Sequence, residues 1–222
     1  LTSTASTVSI TVNAINDAPV ANAGLFSTDE DIDVSYQLTW DDGDPWGSAA
    51  DDQDSTFAIV DSTLHGTLSL DVSTGALTYD PDDNYNGSDS FTFTVTDDGT
   101  TNGTSDPLTS TASTVSITVN AINDAPVLSS ISAQTTSEDS DMEVNLSGTD
   151  VDIATNGQSL TFTATSGDES MVAVSIESTG ASTATLSLDV QDDANGTVTV
   201  SVTVSDGNDG TDTQDITITI TE

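Results

Sequence analysis

Leu1 to Val20 return letter for letter as Leu108 to Val127, a period of 107 residues in a chain of 222. A repeat of that length marks successive modules of roughly 100 residues, each large enough for a modest core of its own. Both copies end in Asn-Ala-Ile-Asn-Asp-Ala-Pro-Val, at 13–20 and 120–127. The letters before this octet alternate, with Val8, Ile10 and Val12 on one face and Thr7, Ser9 and Thr11 on the other. That period of two is a β-strand. The octet is therefore a joint between modules. Residues 1–17 read as the last strand and linker of a preceding repeat, 18–124 as one module and 125–222 as the next.

The chain carries 38 acidic residues, no lysine or arginine and one histidine, for a formal charge of −38. No Lys or Arg is available to pair with any carboxylate, so each must be hydrated, capped by N–H groups or bound to a cation, and self-repulsion opposes compaction. Hard divalent cations prefer such oxygen ligands, and calcium is the natural compensation. Nucleic acid is excluded as a partner because nothing can neutralise phosphates. The same charge repels an anionic membrane surface, and no apolar run is long enough to span a bilayer, so direct membrane insertion is not expected. There is no cysteine, hence no disulfide or thiolate metal site.

Strand patterns cover residues 33–39, 56–60, 64–70, 75–79, 88–96 and 110–120 of the first module. In the second they cover 128–133, 141–147, 158–165, 171–177, 182–190, 196–205 and 213–221. Turn chemistry separates them, as at Asn86-Gly87 and Asp97-Asp98-Gly99. No segment of helical periodicity with caps intervenes. The expected fold is all-β: two tandem Greek-key β-sandwiches of about seven strands each, arranged end to end.

Residues 73–99, Ser-Thr-Gly-Ala-Leu-Thr-Tyr-Asp-Pro-Asp-Asp-Asn-Tyr-Asn-Gly-Ser-Asp-Ser-Phe-Thr-Phe-Thr-Val-Thr-Asp-Asp-Gly, resemble the signature of bacterial cadherin-like and Ig-like repeats. Such repeats build the extender regions of large calcium-dependent surface adhesins, including those of RTX type. The joints resemble the Asp-x-Asn-Asp-Asn-x-Pro linker of cadherins, with Asn120 in its first position, Ile122 in place of an Asn, and Asn123-Asp124 inverting the following pair. The resemblance implies calcium at the joint, with Glu30 and Asp89 or Asp82 from one module, Asn123 and Asp124 from the linker, and Asp150 and Asp152 from the next. By the same logic Asp42 and Asp44 face Asn16 and Asp17, and Glu138 serves a joint beyond Glu222. The implied role is a calcium-rigidified stalk outside the cell, whose partners are the neighbouring repeats.

A second class is a calcium-dependent module that binds carbohydrate or another adhesin through the acidic loop 41–54 and Trp46. Asp206-Gly207-Asn208-Asp209-Gly210-Thr211-Asp212 has the composition of a calcium loop but reads first as a hairpin connection. His65 has no nucleophile or second His arranged around it, and no catalytic constellation is expected.

Overall fold

The computed structural model describes residues 1–11, 15–42 and 53–222, and the chain falls into two units, Leu1–Ile122 and Asn123–Glu222. In the first unit the strands are β1 (Val20–Ala21), β2 (Gly24–Asp29), β3 (Val34–Gln37), β4 (Trp40–Asp41), β5 (Ser55–Asp61), β6 (Gly66–Leu70), β7 (Ala76–Pro81), β8 (Gly87–Asp97), β9 (Thr100–Thr101), β10 (Thr104–Ser105) and β11 (Ser113–Asn120). One sheet has the order β2-β11-β8-β5 and the facing sheet β3-β7-β6, with a short β1-β4 pair and a β9-β10 hairpin beside them. Every second residue of β8 and β11 points inward, so Phe91, Phe93, Val95, Val115, Ile117 and Val119 form the centre of the core with Leu77 and Tyr79 of β7. Each such side chain stabilises the fold by roughly 1.5–3 kcal/mol through burial.

The second unit comprises β12 (Val127–Leu128), β13 (Gln134–Ser137), β14 (Met142–Thr149), a single turn α1 (Ile153–Asn156), β15 (Thr161–Ser166), β16 (Val172–Gly180), β17 (Thr183–Val190), β18 (Gly196–Ser205) and β19 (Thr211–Thr221). Its sheets run β13-β19-β18-β15 and β12-β14-β17-β16. Val198, Val200, Val202 and Val204 of β18 and Ile216, Ile218 and Ile220 of β19 meet Leu146, Leu186 and Leu188 across the core. In both units a strand near the start lies parallel to the last one, β2 on β11 and β13 on β19, while the other ladders are antiparallel. Among the described residues no helix is long and apolar enough to cross a membrane.

The structure departs from the sequence reading at several strands. Gly24–Asp29 and Gln134–Ser137 are strands without an apolar alternation, because they are edge strands placed by backbone pairing to β11 and β19. The run expected at 128–133 shrinks to Val127–Leu128. The strand expected at residues 5–12 does not form over the described residues 5–11, which are exposed and unpaired. Its second copy does form, because β2 and β8 flank it on both edges.

Val8 and Ile10 are 82% and 84% exposed, whereas Val115 and Ile117 are 0% and 1% exposed. The same substitution in the two copies should therefore have opposite outcomes. Ile117→Ala should cost about 2–5 kcal/mol, and Ile10→Ala should stay within about 0.5 kcal/mol of the parent. Denaturant unfolding followed by tryptophan fluorescence checks both, since both tryptophans belong to the first unit.

Candidate functional site

In the first unit the chain leaves β11 under the control of one acid. Glu30 follows β2, and its backbone N–H donates to the Asn120 carbonyl at 3.0 Å. Asp31, the next residue, turns the chain with φ 60°, a conformation that Asp and Asn tolerate. The Glu30 side chain is consequently held inward, 4% exposed. One carboxylate oxygen accepts the Ile122 backbone N–H, and the other accepts the Asn86 amide at 3.1 Å. A carboxylate has about four acceptor positions, so Glu30 retains capacity for a cation.

In the second unit three acids, Asp124, Asp150 and Asp152, meet where that unit begins. Asp150 and Asp152 follow β14, and the Asp152 N–H donates to Asp150 Oδ1 at 2.8 Å. Asp152 precedes α1 without capping it. Its Oδ2 instead accepts the backbone N–H of Asp124 at 2.9 Å. Asp152 is 3% exposed, and Asp150 Oδ2 is buried with no hydrogen-bond partner among the described residues. An ionised oxygen in that position is expensive unless a cation or proton meets it. Carboxylates only, with one oxygen unmatched, are a donor set that suits a hard cation.

Asn16 faces the base of the β9–β10 hairpin, and Asn123 faces the β18–β19 hairpin tip. Asn16 is buried, and its amide nitrogen donates to Asp97 Oδ1 at 3.1 Å and to the Asp106 carbonyl at 2.8 Å. Asn123 donates to Asp206 Oδ2 at 2.8 Å and to the Asn208 carbonyl at 3.2 Å. Asp206 is held below its usual pKa, first by the Asn123 amide and then by the Asn208 N–H.

The remaining expected ligands are dispersed. Asp82 is exposed in the turn after β7, its backbone N–H on the His65 carbonyl. Asp89 is buried, with its oxygens committed to the N–H groups of Leu64, His65 and Ser90 and to the Tyr79 hydroxyl. Asp17 is exposed and Asp42 half-buried. Glu138 repeats the Glu30 backbone contact, donating to the Thr221 carbonyl at 2.9 Å. Asp44, Trp46 and most of the acidic loop 41–54 lie outside the described residues. The sequence reading missed Asp97 and the partnership of Asp206 with Asn123. The available signal was an Asp at the end of each long alternating strand, followed by Gly two or four positions later.

A family model described as bacterial Ig domain matches residues 16–120 and 123–219. The chain belongs to the bacterial Ig domain family. Its two tandem Ig-like domains are similar in fold to PcdhgB3 EC1-4, with TM-score 0.59 and 19% identity over 95% of this chain and 51% of that one. They are also similar to the Protocadherin GammaB4 extracellular domain, with TM-score 0.55 and 17% identity over 91% of this chain and 32% of that one. Protocadherin gammaB7 EC3-6, described as a cis-dimer, gives TM-score 0.55 and 17% identity over 93% and 48%. The chain thus spans about half or less of the length of these cadherins, and at such identities the likeness concerns the fold. No curated protein matches the chain.

In the first bacterial Ig domain Asp89 illustrates how an acid is kept without a base. Burial alone would raise its pKa, but the N–H groups of Leu64, Ser90 and His65 and the Tyr79 hydroxyl outweigh it, and the net shift is downward. Tyr79 is pushed up, by burial first and then by Asp89. A carboxylate depressed on folding contributes stability that is present above its unfolded value and is lost as pH falls through the folded one. Asp89→Asn should therefore destabilise this domain at neutral pH, and the deficit should shrink as pH drops below about 4. Denaturant midpoints of both proteins between neutral and acid pH check the convergence.

Proposed function

We propose that this chain is an extender segment of a secreted bacterial surface adhesin of RTX type, two repeats stiffened by calcium at the joints. The observation that carries this reading is the trio in the second domain, where buried Asp152 accepts the N–H of the linker residue Asp124 and donates its own to half-buried Asp150, whose other oxygen has no hydrogen bond among the described residues, in a chain without Lys or Arg. On the other side Glu30 fixes Ile122, which is covalently joined to Asn123. Glu30, Asp124, Asp150 and Asp152 are the ligands proposed for that joint, and Asp17 with Asp42 are proposed for the earlier one. Calcium takes six to eight oxygens, more than one turn supplies, so an ion drawing on both domains restricts the angle between them. The role is mechanical and needs no catalytic group. Sites of this kind fill at the millimolar calcium found outside cells.

With a dissociation constant near 10⁻⁴ M and about 10 mM free calcium, each site adds roughly 2.7 kcal/mol. Removing calcium with EDTA should lower the melting temperature and restoring it should reverse the loss. Asp152→Asn should weaken calcium binding at least tenfold in a calorimetric titration while both domains stay folded. A melt that ignores both EDTA and calcium, together with a flat titration, would sink the reading. Small-angle scattering with and without calcium tests the mechanical half: an elongated particle in calcium and a broader distribution of sizes in EDTA are expected.

A further inference from the structure

We propose that Asn16 and Asn123 are metal-independent clamps, each fastening the joint to the connection between the last two long strands of the domain that follows it, and that an amide at this position keeps the fastening independent of calcium. The arrangement occurs twice with different surrounding letters. In the first domain Asn16 Nδ2 reaches Asp97 Oδ1 and the Asp106 carbonyl, while its Oδ1 accepts Gln53 Nε2 at 3.0 Å. In the second, Asn123 Nδ2 reaches Asp206 Oδ2 and the Asn208 carbonyl, while its Oδ1 accepts Gln158 Nε2 at 3.1 Å. A glycine leaves the room in each case. A Cβ on Gly99 would lie 1.9 Å from Asn16 Oδ1, and one on Gly210 would lie 2.1 Å from Asp206 Oδ2.

The chemistry of this position is selective. A carboxylate oxygen and a carbonyl oxygen converge on one point, and both only accept. Something there must donate, and an amide nitrogen with two N–H groups meets both. An aspartate would set a third acceptor against them, beside a second negative charge, and only a cation could reconcile the three. The Asn123 amide therefore meets both acceptors with no ion required. Its hold on Asp206 passes directly into the tip, since Asp206 Oδ1 accepts the N–H groups of Asn208 at 2.6 Å and Gly210 at 3.1 Å.

The test uses the full chain and starts in EDTA, so it does not depend on whether calcium binds elsewhere in the joint. Hydrogen exchange of the Asn208 and Gly210 amides should accelerate about tenfold or more in Asn123→Ala, with β14 protection unchanged. Asn123→Asp should show at least that loss in EDTA. Added calcium should then restore protection in the aspartate variant beyond its effect on the parent, and should not do so in the alanine variant. Unchanged exchange in Asn123→Ala, or equal rescue of both variants by calcium, would overturn the clamp. If Asn123→Asp is unfolded in EDTA, folding on calcium addition is the supporting result and persistent unfolding in calcium the contrary one. Asn16→Asp, read at the Gly99 and Leu108 amides that Asp97 holds, repeats the comparison in the first domain.

Discussion

Every buried acid in this protein must be satisfied without a basic side chain, and the backbone does most of that work. Asp89 gathers three N–H groups and a phenol, and Asp97 Oδ1 gathers the N–H groups of Gly99 and Leu108 with the Asn16 amide. Acids nearer the surface do the same: half-buried Asp212 accepts the Leu128 N–H and exposed Asp141 the Val190 N–H. A carboxylate that accepts several N–H bonds stays ionised at modest cost even when half-desolvated. The same bonds fasten turns and chain entries to the sheets, so charge neutralisation and loop placement are one problem here. Where the N–H supply falls short, as at Asp150 Oδ2 and Asp97 Oδ2, a buried oxygen is left over.

The two domains share this solution more closely than they share letters. Glu30 and Glu138 donate their backbone N–H to the end of the last strand, and Asp31 and Asp139 follow them with φ 60° and 58°. The parallel pairing of β2 on β11 and of β13 on β19 delivers both glutamates to that position. None of this needs particular apolar letters, and Gln134–Ser137 contains none. What is retained is a backbone hydrogen-bond plan with a few acids and amides at its corners.

Much of the fold was legible because the long central strands alternate strictly. Phe91, Phe93 and Val95, or Ile216, Ile218 and Ile220, could hardly face anything but a core. The edge strands were not legible, since their seats come from the exposed edge of a neighbour and not from their own side chains. The repeated segment makes the point within one molecule, for the same letters lie in a central strand at 113–118 and are unpaired at 6–11. Strand propensity is a statement about available partners. At the site, the family resemblance implied Glu30, Asp82 or Asp89, Asn123, Asp124, Asp150 and Asp152 as ligands, and it gave no sign that four hydrogen-bond donors meet at Asp89. Asp206 was read as turn chemistry because its defining partner, Asn123, lies 83 residues away.

The division between amides and carboxylates at the joint follows from what each can do alone. An amide brings its own donors, so Asn16 and Asn123 can secure the connection between the last two long strands as soon as a domain folds, whatever the ion concentration. A carboxylate brings none, and Asp150 Oδ2, buried without a hydrogen bond among the described residues, is the acceptor that a cation would complete on the proposed reading. On the proposed reading, one element of the joint is then set by folding and the other by the medium. The first fixes where each domain begins, and the second decides whether neighbouring domains hold a common angle. On the same reading, keeping the two separate would let a chain with 38 acids and no Lys or Arg fold its domains first and stiffen afterwards, on meeting calcium.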